Sequence, residues 1–221
     1  MIMRGYLITL EGIDGTGKST VAAMLARRLE RKDGPDRPFG REFVFTTEPA
    51  GGEVGRLLKR RLQTKETSGL KHLEDLFLFM ADHADHLAGV VIPALERGAV
   101  VISDRYSDSR AAYQGATLRG IVPDPMTWVR ELHRPWSMVP DLTILFALDP
   151  STAVERCRSR SGGAEQERFE QEALLRWVAE NFRRLAELEP ERFVLIDAGR
   201  DPEDVFEQAL AAITGFLDHR V

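Results

Sequence analysis

A glycine-rich run near the amino terminus has the residue types and spacing that hold a polyphosphate. Gly12–Ser19 reads GIDGTGKS and matches the P-loop pattern G-x-x-x-x-G-K-[ST]. Its glycines let main-chain amides approach phosphate oxygens, and the start of a following helix adds positive charge. The Lys18 ammonium would neutralise the β- and γ-phosphates, and the Ser19 hydroxyl would ligate Mg²⁺. A chance glycine-rich turn is the alternative, which the apolar run before the motif and the helical pattern after it disfavour. The residues predicted to bind ATP are Gly12, Ile13, Asp14, Gly15, Thr16, Gly17, Lys18, Ser19 and Thr20.

A second set of polar residues follows the apolar run at 99–103. Asp104 comes directly after that run and is a candidate magnesium ligand together with Ser19, and the guanidinium of Arg105 could clamp an anion. Ligands of open α/β sheets bind beyond the carboxyl ends of the strands, which places both side chains at the site. A surface ion pair is the alternative. The start of the next helix offers a hydroxyl, a ring and an amide for a pocket, from Ser109, Tyr113 and Gln114.

Glu48 follows another apolar run, at 43–46, and is succeeded by Pro49. The proline disfavours helical backbone at Glu48, so we expect its carboxylate to be held in a loop at the edge of the sheet. A solvated glutamate in a turn is the alternative.

Phe79, His83 and His86 are spaced to share one face of a long helix, away from its apolar stripe. A phenylalanine beside polar partners suits stacking on a base. The edge of the core is one alternative. A metal site built with Asp82 or Asp85 is another, although no further His or Cys cluster completes it.

Arginines surround a glycine-containing segment, Ser161-Gly162-Gly163, that we interpret as a mobile lid. They are Arg156, Arg158, Arg160 and Arg168. An arginine that closes over a transferring phosphoryl group stabilises its charge, and a lid excludes water. A solvated charged face is the alternative, and the spacing does not say which arginine reaches the phosphates.

Short apolar runs alternate with helical patterns along the chain. The runs are 6–10, 43–46, 99–103, 142–148 and 193–196, and the helical patterns are 18–31, 70–97, 170–188 and 202–217, with Pro93 expected to kink or break the second. Continuous apolar runs are typical of strands buried on both faces. We therefore predict an α/β fold of three layers, with a five-stranded parallel sheet flanked by helices and a short lid.

Composition limits the class of protein. The chain has 221 residues, a net charge of −5 and 43% hydrophobic residues, which fits one domain and gives no electrostatic attraction to nucleic acid. We find no signal-peptide pattern and no membrane-spanning run, and the single Cys157 cannot form an intramolecular disulfide. These features predict a cytoplasmic protein with neither a nucleic-acid nor a membrane partner.

With these motifs identified, the chain resembles the thymidylate kinases, a family of P-loop nucleoside monophosphate kinases. The discriminating match runs from Asp104 to Gly115, which reads DRYSDSRAAYQG and is similar to the family signature DRY-x-x-S-x-x-AYQG at every defined position. The similarity extends from Tyr6 to about Leu217. It implies one kinase domain over 1–221, with its P-loop at 12–19 and its lid at about 157–168.

The resemblance also implies roles for individual residues. Asp14 would hold the 3′-hydroxyl of the acceptor sugar, and Arg105 would hold the acceptor phosphate. Asp104 would lie near Mg²⁺. Phe79 would stack on thymine. The remaining acceptor contacts would come from Glu48, His83, Ser109, Tyr113 and Gln114. Because the P-loop carries no arginine, the family's lid-arginine type is implied, with Arg158 and Arg160 joining Lys18, Asp104 and Arg105 as catalytic residues. The family is generally homodimeric.

Three positions depart from the family's pattern. Where this chain has His83, members of the family commonly have an arginine, which contacts thymine in those proteins. Where it has Thr47 and Ala50, many members have Arg and Gly, respectively. Our hypothesis is Mg²⁺-dependent transfer from ATP to dTMP, which would supply dTTP synthesis. The first alternative is a kinase of other or more pyrimidine monophosphates, such as dUMP, dCMP or UMP, and a P-loop nucleotide switch is the second. An inactive homologue is the third, against which the intact Lys18 and Arg105 argue.

Overall fold

Five parallel strands form the centre of the molecule. The computed structural model describes residues 4–29, 38–62, 69–161 and 165–220. The strands are Tyr6–Glu11 (β1), Phe43–Thr47 (β2), Val100–Asp104 (β3), Leu142–Ala147 (β4) and Phe193–Asp197 (β5). Each begins and ends within one residue of the sequence prediction, so the five-stranded sheet is confirmed.

The strand order is β2-β3-β1-β4-β5, and every neighbouring pair is parallel. β1 therefore lies between β3 and β4. The register pairs Leu10 with Asp104, so the chain leaves β1 and β3 at the same edge. This pairing brings the glycine-rich loop beside the residues that follow β3.

Helices cover both faces of this sheet. They are Lys18–Leu29 (α1), Glu53–Arg61 (α2), Gly69–His86 (α3), Ile92–Glu96 (α4), Ser107–Thr117 (α5), Pro125–His133 (α6), Pro150–Ser161 (α7), Glu165–Leu188 (α8) and Pro202–Asp218 (α9). Short 3₁₀ turns lie at Pro38–Gly40 and Pro190–Arg192. The described part of the chain thus has the predicted three-layer α/β architecture.

Adjacent residues of β1 are buried on opposite faces because each face has its own core. Ile8 packs with Leu25 of α1 and Ile213 of α9. Leu7 packs on the other side with Val91 and Val101. Two buried faces explain why this strand reads as a continuous apolar run rather than an alternating one.

The long helical pattern at 70–97 is divided. A π-helical turn, Leu87–Val91, separates α3 from α4 and ends just before Pro93. Proline has no amide hydrogen to donate to the carbonyl of Gly89, so the regular ladder cannot continue through it. Helical backbone continues through the turn, so what stands at the expected kink or break is a π-helical turn that precedes the proline. The sequence reading missed α2 and α6, because both are short and α2 buries only Gly55 and Leu58.

The stretch Leu70–Glu96 has the length and the mean hydropathy, 1.2, of a membrane-crossing helix. Inside the fold it behaves as a core helix, since Leu76 and Leu87 are buried and the Asp82 carboxylate accepts a hydrogen bond from the amide of Ala50 at 2.8 Å. Packing in the core accounts for part of its apolar character, whereas Leu70 and Phe77 of the same stretch are exposed.

Candidate active site

The loop between β1 and α1 has a backbone that glycine alone adopts comfortably. Gly12 has φ 142° and Gly15 φ 90°. A Cβ on Gly15 would lie 2.5 Å from the carbonyl oxygen of Ala153, which is far inside van der Waals contact. Because α1 begins at Lys18, its amino-terminal end faces the loop. Converging amides and a helix start are what an anion-binding loop requires.

Lys18 is folded back onto this loop. Its Nζ donates to the carbonyl of Ile13 at 2.8 Å and to Oγ1 of Thr16 at 3.1 Å. Burial and the positive charge of Arg105 lower the pKa of Lys18 to about 7, although nearby carboxylates oppose the change. The ammonium is thus poorly compensated here, and a polyphosphate in the loop would supply the missing negative charge.

Ser19 and Asp104 meet across the register that pairs β1 with β3. The Ser19 hydroxyl donates to Oδ2 of Asp104 at 2.7 Å. Oδ1 of Asp104 is buried and has no hydrogen-bond partner within the described ranges. A hydroxyl and a carboxylate oxygen suit Mg²⁺, which is commonly held by one or two protein oxygens together with substrate phosphates. These two residues therefore fit the metal that the P-loop implies.

Arg105 is held over the P-loop by an unusual backbone and by four side-chain contacts. Its φ is 67°. Nη2 donates to Oδ1 of Asp14 at 2.6 Å, and Nη1 donates to Oγ of Ser109 at 3.0 Å. The guanidinium lies 4.9 Å from the centre of the Tyr113 ring, and the Tyr113 hydroxyl accepts from Nη2 at 3.4 Å. Partial burial would raise the pKa of Asp14, but Arg105 and Lys18 outweigh it and lower that pKa.

Glu11, the last residue of β1, accepts hydrogen bonds from residues at the start of α5. Oε1 accepts from the amides of Tyr106 at 2.9 Å and Ser109 at 3.2 Å, and Oε2 accepts from the Ser109 hydroxyl at 2.5 Å. Burial and the negative charge of Asp108 raise the pKa of Glu11 to about 7. The sequence analysis did not select this residue, since a glutamate at a strand end carries no motif of its own.

A cavity of about 450 Å³ opens beside the P-loop. Seven of the eight residues predicted to bind the acceptor line it: Asp14, Glu48, Phe79, Arg105, Ser109, Tyr113 and Gln114. They come from the P-loop, the loop after β2, the middle of α3, the position directly after β3, and α5. Residues far apart in sequence thus line one cavity beyond the carboxyl ends of the strands.

His83 is the exception, and the prediction that it contacts the acceptor is corrected. Its side chain has no exposed surface and does not line the cavity. Its Nδ1 lies 2.7 Å from Oε1 of Glu48, and its Nε2 lies 2.7 Å from Oγ of Ser137. His86 places its own Nδ1 2.8 Å from the same Glu48 oxygen. The two histidines hold a carboxylate instead of facing a ligand or a metal.

Arg110 supplies the counter-charge of this carboxylate and was missed by the sequence analysis. Its Nη1 donates to Oε2 of Glu48, and both side chains are almost fully buried. Burial would raise the pKa of Glu48, but Arg110, His83 and His86 hold it well below its usual range. Position 110 is an undefined x of the family signature, so nothing in the pattern singled it out.

Further unpredicted residues lie on the cavity wall: Arg61, Lys71, His72, Asp75 and Thr117. They belong to α2, α3 and α5, whose mutual packing a motif does not reveal. Arg158 is half-buried on α7, and the side chains of Arg160 and Arg168, with residues 162–164 of the expected lid, lie outside what the structure describes. The catalytic role of Arg158 and Arg160 in the lid stays a prediction.

Comparison with known proteins identifies the family. The family description "Thymidylate kinase" matches residues 10–209. A protein named "Probable thymidylate kinase" from Methanosarcina acetivorans is 51% identical over 216 residues, spanning 97% of this chain and 98% of the relative. Its namesake from Methanococcoides burtonii is 46% identical over 216 residues, spanning 98% and 100%. Another from Halobacterium salinarum is 46% identical over 211 residues, spanning 96% of each chain. The resemblance drawn from the Asp104–Gly115 signature is confirmed, and the chain belongs to the thymidylate kinase family.

Proposed function

We propose that this protein transfers the γ-phosphoryl group of ATP to dTMP, giving ADP and dTDP. One observation carries the proposal: Asp14 is part of the P-loop and also lines the cavity, where Arg105 binds it. The loop for the donor and the pocket for the acceptor are therefore contiguous. Direct transfer needs two nucleotides held within reach of each other. The names of the relatives support dTMP as the acceptor.

The residues around this junction divide the work. Lys18 turns from Ile13 and Thr16 to the donor phosphates. Arg105, released from Asp14, grips the acceptor phosphate, and Asp14 accepts from the 3′-hydroxyl of the sugar. The transferring group gains no covalent bond to the protein, so catalysis consists of positioning and of stabilising charge. Arg158 and Arg160 complete that stabilisation from the lid.

The base end of the pocket is proposed to hold thymine. Phe79 offers an aromatic surface for stacking, and Gln114 and Tyr113 border the base and the sugar. Glu48 also lines this end, and Arg110 keeps it ionised. The acceptor pocket is therefore lined by aromatic rings, Phe79 and Tyr113 among them, and by several polar groups that are already bonded to each other.

Ser19 and Asp104 are proposed to hold Mg²⁺ with ATP. When bound, the ion neutralises the donor phosphates and polarises the group being transferred. Ser19 and Asp104 already hydrogen-bond each other at 2.7 Å, so they are placed together before any ligand arrives.

The remaining proposals concern the whole chain. We propose that 1–221 forms one kinase domain, that it works in the cytoplasm, and that it forms a homodimer. Exposed apolar side chains on α3, among them Leu70 and Phe77, are consistent with a surface that a second copy covers. The net charge of −5 supports the absence of a nucleic-acid partner.

An acceptor profile tests the proposed function. ADP formation from ATP and Mg²⁺ would be coupled to an optical readout with dTMP, dUMP, dCMP and UMP in turn, and a reaction without acceptor would serve as the control. We expect the highest kcat/KM with dTMP. Equal values for all four acceptors would contradict the assignment, and so would ADP formation that is independent of any acceptor.

A further inference from the structure

Arg110 lines the acceptor pocket, and two of its nitrogen atoms have no hydrogen-bond partner among the residues that the structure describes. We propose that Arg110 is a specificity-determining residue that donates a hydrogen bond to the 4-oxo group of the acceptor's pyrimidine and so selects against 4-amino bases. The inference rests on the proposed function, and it concerns a residue that the signature leaves undefined.

The side chain is built into the pocket instead of lying on the surface. Arg110 is 3% exposed and lines the cavity. Its Nη1 donates to Glu48, whereas Nε and Nη2 are buried with no hydrogen-bond partner anywhere in the described residues. Buried N–H groups without an acceptor destabilise a fold unless water or a ligand satisfies them. An acceptor atom at the cavity wall would satisfy them.

The position of the guanidinium is fixed before a ligand binds. Glu48 anchors it, and Glu48 is itself held by His83 at 2.7 Å and by His86 at 2.8 Å. His86 in turn lies 2.7 Å from Oγ1 of Thr46 through Nε2. This chain of contacts ties Arg110 to β2 and α3, so the guanidinium is held in one position beside the cavity.

Other polar side chains of the pocket are less suited to this selection. Arg105 is engaged by Asp14 and Ser109, and Arg61 is engaged by two carboxylates of α3. Gln114 carries a donor and an acceptor on one amide, which can turn over to suit either kind of base. A guanidinium donates only, so it can tell an oxygen from an amino group.

The chemistry of the base sets the expected discrimination. Thymine and uracil present a carbonyl oxygen at C4, which accepts from Arg110. Cytosine presents an amino group there, so two donors would face each other and Arg110 would stay unpaired. A hydrogen bond to a charged group, lost in a buried site, corresponds to about a tenfold to hundredfold change in kcat/KM.

The test compares acceptors in the wild type and in Arg110→Gln. Glutamine can accept as well as donate, so the ratio of kcat/KM for dTMP to that for dCMP should fall about tenfold to hundredfold. The ratio for dTMP to dUMP should not change, because both bases carry the 4-oxo group. An unchanged dTMP to dCMP ratio, with only the melting temperature lowered, would show that Arg110 merely supports Glu48 and would overturn the inference.

Arg192→Gln is the matched control. Arg192 is also buried and binds a carboxylate of α5, Asp108, at 2.7 and 2.9 Å, but it does not line the large cavity. The variant should lower the melting temperature and leave both acceptor ratios unchanged. If Arg192→Gln altered the dTMP to dCMP ratio as much as Arg110→Gln, the effect would come from general loosening and the inference would fail.

A ligand-side experiment covers the case in which Arg110→Gln does not fold. Arg110→Lys keeps a positive charge for Glu48 and loses the planar fork of donors. Equilibrium binding would be measured for dTMP and for its analogue with hydrogen in place of the 4-oxygen. The wild type should bind the analogue about tenfold to hundredfold more weakly, and the lysine variant should show a smaller difference. Equal affinities in the wild type would overturn the inference, as would a lysine variant with the full difference.

The two proposals fail in different ways. A wild type that phosphorylates none of the pyrimidine monophosphates would overturn the proposed function, and the inference with it. A wild type that phosphorylates dTMP but whose selectivity is insensitive to Arg110 would overturn the inference alone.

Discussion

Glu11 and Glu48 are both buried carboxylates at the carboxyl ends of strands, yet they differ in their partners. Glu48, beside the base end of the pocket, faces the guanidinium of Arg110, and its pKa lies well below the usual range. Glu11, below the phosphate end, accepts from two amides and a hydroxyl, and burial with Asp108 nearby raises its pKa to about 7. Burial alone does not decide the charge of a carboxyl group, because a neighbouring cation can reverse its effect.

The same contrast separates the two ends of the site. At the base end, the negative charge of Glu48 is compensated within the protein by Arg110, although two guanidinium nitrogens of Arg110 have no partner among the described residues. At the phosphate end, the pKa of Lys18 is lowered to about 7, and the side chain of Arg105 donates to Asp14. Both cations would gain a stronger counter-charge when phosphate groups bind. We therefore expect changes at the phosphate end to affect turnover first, and removal of the Glu48 charge at the base end to affect stability first.

The largest effect is expected from Lys18→Ala. Loss of the ammonium that neutralises the donor phosphates should lower kcat about a thousandfold or more. The free energy of unfolding should not fall, because burial and the charge of Arg105 already destabilise the wild-type ammonium in the folded state. Steady-state kinetics and urea denaturation would be measured together, with the exposed Lys59→Ala as control. Full activity in Lys18→Ala, or a large loss of stability, would break the comparison.

Glu48→Gln should have the largest effect on stability. Removing one charge of a buried ion pair leaves Arg110 uncompensated, which costs about 3–5 kcal/mol of unfolding free energy. Glu42→Gln is the matched control, since Glu42 pairs with Arg97 at the surface and such pairs contribute about 0–1 kcal/mol. Urea denaturation at neutral pH measures both. A loss for Glu48→Gln no larger than that of Glu42→Gln would mean that the base end is not held by this pair.

A smaller, pH-dependent effect is expected from Glu11→Gln. The folded state raises the pKa of Glu11 from 4.5 to about 7, so between these values it binds the proton more tightly than the unfolded state does. Stability from this group is therefore complete below pH 4.5 and falls as pH rises to about 7, by roughly 3 kcal/mol at most.

Glutamine cannot ionise, so the difference in unfolding free energy between variant and wild type should grow in favour of the variant over that window. Denaturation at several pH values measures this difference. A constant difference would mean that Glu11 ionises as readily in the folded protein as in the unfolded chain, and the contrast with Glu48 would disappear.

The sequence predicted those parts of the site whose residues are consecutive or follow a strand. Gly12–Ser19 is a continuous motif, so its composition and its flanking elements were enough. Asp104 and Arg105 follow β3, and the parallel sheet brings that position beside the P-loop. The strands themselves were visible because burial on both faces leaves an uninterrupted apolar run.

The remaining parts depend on packing that periodicity does not determine. Phe79 and His83 are one helical turn apart and share a face, but only Phe79 reaches the cavity, since Glu48 lies against His83. The partnership of Glu48 with Arg110 joins residues 62 positions apart in sequence. Such a contact follows from how α3 and α5 dock beside β2, which one sequence without an alignment does not reveal.

The π-helical turn at Leu87–Val91 changes the phase of the long helix. A regular α-helix advances about 100° per residue, so one additional residue in a turn rotates everything beyond it. His83 and His86 precede the turn and face Glu48, whereas Ala94 and Leu95 follow it and are packed under the sheet. Because the wider turn changes the rotation of the helix, the histidines before it can face Glu48 while the apolar residues after it pack against the sheet. A chain shortened by one residue there would have to choose between its pocket wall and its core.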